Sequence, residues 1–189
     1  MKVSLENFDL IITCPRFRER DASAEATYFL AEIGDEEVKV EPIGIPGLLY
    51  SKTKLGAFNV IEKLKDYIED NLVFFEYTLR YIPIEIVVNS TIDNIVEVVD
   101  KLKDKIDEEE TFRITIEKRH THIDRNELID EAAKCVKREV DLDNPDKIIL
   151  IEIVGDKTGI SIIEEGDIIS IPILKREEED IEEEDILPY

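Results

Sequence analysis

Residues 111–122 read TFRITIEKRHTH, and their parsing decides how the rest of the chain is assembled. Alternation sends Phe112, Ile114 and Ile116 to one side and Arg113, Thr115, Glu117 and Arg119 to the other, as in a β-strand with one apolar face. At about 3.3 Å per residue, Arg113 and Arg119 stand roughly 20 Å apart on the polar face, so one strand can reach two separated phosphates. The segment Lys118-Arg119-His120-Thr121-His122 falls where the strand ends and just before a helical pattern begins. Free N–H groups and the helix dipole favour an anion at such a position. With Arg125, this short region gathers four cations and both histidines of a chain that carries 46 acidic and 24 basic residues, a formal net charge of -22.

Downstream, residues 123–141 show helical spacing. Asp124 and Glu127 form a capping-box-like pair, and Leu128, Ala132, Cys135 or Val136, and Val140 face inward. After the turn LDNPD, the run KIILIEIV (147–154) is apolar on both faces and is expected at the centre of a mixed sheet. GDKTG (155–159) turns, ISII (160–163) pairs back, and IISIPI (168–173) is expected to close the unit. Upstream, Ser90 or Thr91 caps a helix over 90–106 with Ile92, Ile95, Val96, Val99, Leu102 and Ile106 on its stripe. Residues 89–174 thus read α-β-α-β-β-β, and the acidic segment 175–189 reads as a tail that is helical if docked.

Residues 1–88 read β-α-β-β-α-β. FDLIITC (8–14) is a strand. RERDASAEATYFLAEIG (18–34) is a helix stopped by Gly34, and VKVEPI and GLLYSKT flank a turn at Pro46-Gly47. LGAFNVIEKLKDYIEDN (55–71) is a second helix, with Phe58, Ile61, Leu64, Tyr67 or Ile68, and Leu72 on one stripe. FEYTLRYIPIEIVV (75–88) is extended, with Pro83 marking a bend or an edge. The expected fold class is therefore α+β: an N-terminal ferredoxin-like unit, in which two helices cover one face of an antiparallel sheet, joined at residue 89 to a second unit with a mixed sheet and two main helices.

Composition bounds the function. A hydrophobic content of 43% supports a packed core, and no apolar run approaches the roughly 20 residues that span a bilayer. The opening residues lack a signal-peptide pattern, so a soluble, cytoplasmic protein that meets neither membrane nor DNA is expected. Cys14 and Cys135 read as packing residues. His120-x-His122 lacks the third ligand a zinc site needs, so no metal or other cofactor is expected. Phosphate-loop, dinucleotide and nucleophile-elbow motifs are absent, and carboxylates this frequent look paired anywhere. An acidic total opposes indiscriminate nucleic-acid binding but leaves room for a local basic site.

A second basic cluster, CPRFRER (14–20), places Arg16, Arg18 and Arg20 around Phe17, which either packs or offers a stacking face to a base. Lys52 and Lys54 precede another helix start. For both clusters, surface cations paired with neighbouring acids such as Glu19, Asp21 or Glu25 are an equally open reading.

The combination of FR-x-T-x-EKRH with DLDNPDKI and GDKTGIS resembles the C-terminal half of THUMP domains, RNA-binding modules of tRNA-modifying proteins. CPRFRER, the GIPGLLYSKT hairpin and LRYIPIEIVV look like the free-standing THUMP proteins that assist tRNA cytidine acetylation in archaea and eukaryotes. The resemblance spans roughly residues 6–172. It implies a non-catalytic adaptor that holds tRNA, through a basic cleft on an acidic body, and presents it to a separate RNA cytidine acetyltransferase making N4-acetylcytidine. It carries the RNA-binding role to Arg113, Lys118, Arg119 and His120, and to Arg16, Arg18 and Arg20. Lys52, Lys54, His122 and Arg125 complete the candidate set on position and charge. A tRNA-modifying enzyme with an unrecognised active site and an acidic protein-interaction module are the alternatives.

Overall fold

A computed structural model describes residues 7–186, and side chains as far as Ile181. The chain forms two compact units. One comprises Asp9–Pro83 with the segment from Ile168 on; the other comprises Ile84–Asp167 with Phe8. This grouping differs from the sequence division at 1–88, 89–174 and 175–189, because the chain leaves the first unit at Pro83 and returns to it after Asp167. The first six residues of the 1–88 segment and residues 187–189 of the acidic tail lie outside the described residues.

The first unit follows the expected order: β1 (Leu10–Thr13), α1 (Glu19–Glu32), β2 (Lys39–Pro42), β3 (Leu48–Lys52), α2 (Ala57–Asn71) and β4 (Arg80–Pro83). β1 pairs antiparallel with β3 and with β4, and β2 pairs antiparallel with β3. That is the split βαβ arrangement of a ferredoxin-like sheet. Both helices pack on one face of it: Ala22, Ala26, Phe29 and Leu30 of α1 and Val60, Ile61, Leu64 and Ile68 of α2 join Leu10 and Ile12 in one core. Val60 takes the buried place that the sequence stripe assigned to Phe58, which is half-buried.

Two departures from the sequence reading concern the ends of this sheet. The extended run 75–88 is two strands in two sheets, since the chain changes partners after Pro83 and the Glu85 N–H donates to Ile160 O at 3.1 Å. IISIPI does not close the second unit. Only β10 (Ile169–Ser170) is a strand, it pairs with β4, and α5 (Ile171–Ile186) starts at once and runs through the segment read as a tail. Pro172 is tolerated there because the first turn of a helix needs no donor from it. Burial of Ile169 and Ile171 in the first core overrides the strand preference of the β-branched run.

The second unit contains β5 (Ile86–Asn89), α3 (Ile92–Leu102), β6 (Thr111–Arg119), α4 (Arg125–Cys135), β7 (Glu139–Val140), β8 (Lys147–Val154) and β9 (Lys157–Ile163). The sheet order is β5-β9-β8-β6-β7, with β6 parallel to both β8 and β7 and the other pairs antiparallel. The sheet is mixed and β8, buried on both faces, is central, as its composition predicts. Thr91 caps α3 by accepting from the Asn94 N–H at 3.2 Å, which satisfies one of the helix's orphan donors. Ile95, Val98, Val99 and Leu102 of α3 and Leu128 and Ala132 of α4 cover Phe112, Ile116, Ile149 and Ile151. Fully burying each large aliphatic contributes about 1.5–3 kcal/mol.

α4 is shorter than the 123–141 pattern implies. Val136 is already extended (φ -103°, ψ 104°), and the Arg138 guanidinium donates to Ile106 O and Asp107 O at 3.1 and 2.9 Å. The chain then lies down as β7, which leaves Val140 exposed instead of inward-facing.

Candidate functional site

The strand-end cluster is built by β6, α4 and the bend between them. Phe112 and Ile116 are buried and Ile114 packs against the same core, which fixes the alternation and turns Arg113 and Arg119 to the opposite face. The strand stops at His120, whose φ of 55° is left-handed. Histidine tolerates that region better than bulky residues do. Asp124 caps α4, accepting from the Glu127 N–H at 2.9 Å, so its carboxylate already meets the positive end of the helix dipole.

The individual cations divide by what they touch. Lys118 Nζ donates to Ile123 O at 2.7 Å, Arg125 Nη1 to Ile116 O at 2.7 Å, and Arg113 Nη1 to Leu142 O at 3.3 Å. These three are oriented by carbonyl oxygens, which fix position without cancelling charge. Arg119 is different: its Nη1 donates to Glu152 Oε2 at 2.8 Å, and Glu152 is 1% exposed in the middle of β8. A buried carboxylate needs a partner, and Arg119 supplies one from the diagonal position on the neighbouring strand. Both His120 and His122 are exposed, and among the described residues no group of three His, Cys, Asp or Glu stands together as a metal site.

The first unit carries the other candidates. Arg16 and Arg20 are exposed and, among the described residues, form no ion pair. Arg18 pairs with Asp21 at 2.7 Å and lies 4.5 Å above the Tyr77 ring. Lys52 pairs with Asp9 at 2.7 Å, and Lys54 pairs with Glu37. The structure therefore leaves Arg16, Arg20, Arg113, Lys118 and Arg125 without a carboxylate among the described residues and neutralises Arg18, Lys52, Lys54 and Arg119.

Sequence reasoning missed the part played by two residues here. One is Glu152, whose signal was available: a single acid inside an apolar central strand demands a counter-charge. The other is Glu19. Its Oε1 accepts from the Phe17 N–H at 3.1 Å and from the Gly47 N–H at 2.7 Å, and these bonds, Gly47's foremost, hold its carboxyl below the usual range. Nothing in RFRER distinguishes this acid from its neighbours. The clamp fixes Phe17, which occupies the third position of a turn closed by Arg18 N–H to Pro15 O at 3.1 Å, with φ of 68°. A left-handed conformation costs a non-glycine residue about 1–2 kcal/mol.

These features define an α+β protein whose second unit presents an oriented basic strand end. Residues 89–163, from the end of β5 to the end of β9, match the THUMP domain family, so the second unit carries a THUMP domain over that span. An uncharacterised protein of Methanocaldococcus jannaschii, MJ0421, is 31% identical over 139 residues, covering 70% of this chain and 36% of its own length. The chain thus spans about a third of that relative. The crystal structure of PH1313 from Pyrococcus horikoshii shares the fold with a TM-score of 0.57 at 19% identity, over 87% of this chain and 55% of PH1313. A 4-thiouridine synthetase solved as an RNA complex with bound ATP shares it with a TM-score of 0.52 at 15% identity, over 87% of this chain and 42% of the synthetase. No helix of the described residues is long and apolar enough to cross a membrane.

Proposed function

We propose that the chain binds tRNA without acting on it and presents it to a separate RNA cytidine acetyltransferase that forms N4-acetylcytidine. The observation that carries RNA binding is the carbonyl-anchored set Arg113, Lys118 and Arg125 in the THUMP domain: cations held in place with their charge uncancelled. Phosphate contacts of this kind supply most of the affinity of a nucleic-acid binder. Arg119, His120 and His122 add donors beside them. On the first unit Arg16 and Arg20 add further cations, with Arg18, Lys52 and Lys54 contributing less because acids already pair with them. The fold shared with a synthetase solved with RNA supports the same reading. The surrounding excess of acid opposes loose binding to arbitrary polyanions. The adaptor role rests on the resemblance of CPRFRER, the GIPGLLYSKT hairpin and LRYIPIEIVV to free-standing THUMP proteins.

The test is binding of bulk tRNA and of duplex DNA across a salt series. Lys118→Ala and Arg125→Ala each flatten the log–log salt slope for tRNA by about 0.7–0.9, while Lys54→Ala changes it less. No tRNA binding at low salt overturns RNA recognition. With purified acetyltransferase and tRNA, N4-acetylcytidine is expected to form efficiently only when the chain is added. Equal formation without it removes the adaptor role and leaves RNA binding standing.

A further inference from the structure

We propose that Phe17 is a fixed stacking platform for an unpaired base of the bound RNA, set at the mouth of an open groove in the first unit. The proposal rests on the reading of the chain as an RNA binder and adds a contact outside the THUMP domain. Four observations meet here. First, Phe17 is 86% exposed, the most exposed of the large apolar side chains described. Second, its backbone is left-handed at a turn position where glycine or asparagine is usual. Strain retained at an exposed bulky residue points to function, since folding alone is served better by glycine there. Third, the strain is held in place: Glu19 ties the Phe17 N–H to the Gly47 N–H of the β2–β3 turn. Gly47 in turn approaches so closely that a Cβ on it would stand 2.9 Å from Cys14 O. The ring is thereby carried on a rigid loop and pays little ordering entropy on binding.

The fourth observation concerns the occupant. A groove of about 330 Å³ runs beside the ring, lined by Phe17, Arg20, Pro42, Ile45 and Pro46 and by Glu19, whose Oε1 is held by the Phe17 and Gly47 N–H groups. Arg20 lines the same groove and Arg16 precedes Phe17 in the chain, both without a carboxylate partner among the described residues, whereas Arg18 is committed to Asp21 and to the Tyr77 face. An exposed aromatic face with the Arg20 guanidinium in the same groove and Arg16 next to it in the chain fits a flat base joined to phosphates. It fits a purely apolar peptide poorly, because the two charges would be desolvated. Every base has a π-face, so the contact selects single-stranded character and not sequence.

The chain contains no tryptophan, so Phe17→Trp creates a unique fluorescent reporter on the platform. Its emission is expected to be quenched on titration with bulk tRNA and with a single-stranded oligoribonucleotide, and to change little with a blunt RNA duplex. Phe17→Ala and Phe17→Leu are expected to weaken tRNA binding between about fivefold and a hundredfold, the range of one base stacked on an aromatic ring, with the salt slope unchanged. Glu19→Ala is expected to weaken binding although it removes a negative charge, and Glu19→Gln, which keeps the acceptor, to restore it. If wild-type protein binds tRNA while Phe17→Ala binds equally well and the tryptophan emission does not respond, the platform is overturned and RNA binding is not. That result would turn Phe17 into a contact for another protein. If wild-type protein binds no RNA, both readings fall.

Discussion

Lys118 and Arg119 are adjacent in the chain and do different work. Lys118 leans on a carbonyl oxygen and keeps its charge for a ligand, whereas Arg119 neutralises the buried Glu152. Arg119→Ala is therefore expected to cost stability on the order of 3 kcal/mol in urea denaturation, as loss of one member of a buried ion pair does. Lys118→Ala stays within about 0.5 kcal/mol, like most surface changes. A loss of RNA affinity in Arg119→Ala is then to be read only after its folding has been measured. Glu19 gives a pH prediction. Its carboxyl is held below the ordinary glutamate value by the Gly47 N–H, with smaller help from its own N–H and that of Phe17. A depressed value means that its clamp is fully present above the unfolded-state value, about 4.3, and is lost as pH falls through the lower folded-state one. The Phe17 and Gly47 amide resonances should shift together in that acidic window, with a midpoint below that of an exposed glutamate, and Glu19→Gln should abolish the transition. The residue types of both clusters were legible in the sequence, but which cation keeps its charge was not. That depends on whether the nearest oxygen in space is a carbonyl or a carboxylate.

At the level of elements, periodicity read the molecule well wherever one face is buried and the other wet. The strand 111–119, the cap at Thr91 and the central place of 147–154 followed from alternation, capping chemistry and two-sided apolarity. Periodicity failed where a short segment is decided by its partners: the helix after Asp124 stops at Cys135 because Arg138 reaches Ile106 O and Asp107 O, and IISIPI turns helical because two isoleucines are drawn into a core. Gly159 shows how tightly β9 is fitted. It lies opposite Val87 and Glu152, and a Cβ there would meet Ile84 Cγ2 at 2.8 Å and Phe8 Cε2 at 3.1 Å. Gly159→Ala is expected to destabilise the second unit by about 1–3 kcal/mol through overpacking, read as a lower urea midpoint with an unchanged slope.

For the molecule as a whole, the expected split at residue 89 missed the return of the chain after Asp167. Linear order suggests units in series, and only long-range pairing of β10 with β4 reveals otherwise. Ending the chain after Asp167 removes Ile169 and Ile171, 3% and 2% exposed, from the first core. At about 2–5 kcal/mol for each large aliphatic truncated, this consumes most of the roughly 5–15 kcal/mol that a domain possesses. Hydrogen exchange should then show Asp9–Pro83 losing protection while Ile84–Asp167 keeps it. Ending the chain after Arg176 retains both isoleucines and Leu174, and should leave both units protected and tRNA affinity unchanged.

The return of the chain also orders events on the ribosome. The unit of Ile84–Asp167, joined by Phe8, which is made before it, can close its core as soon as Asp167 leaves the exit tunnel. The unit that begins at Asp9 must wait for β10 and the start of α5, which are made only after the other unit is complete. At about 5–20 residues per second, β4 passes several seconds as an unpaired sheet edge, the kind of surface that nascent chains use to join one another.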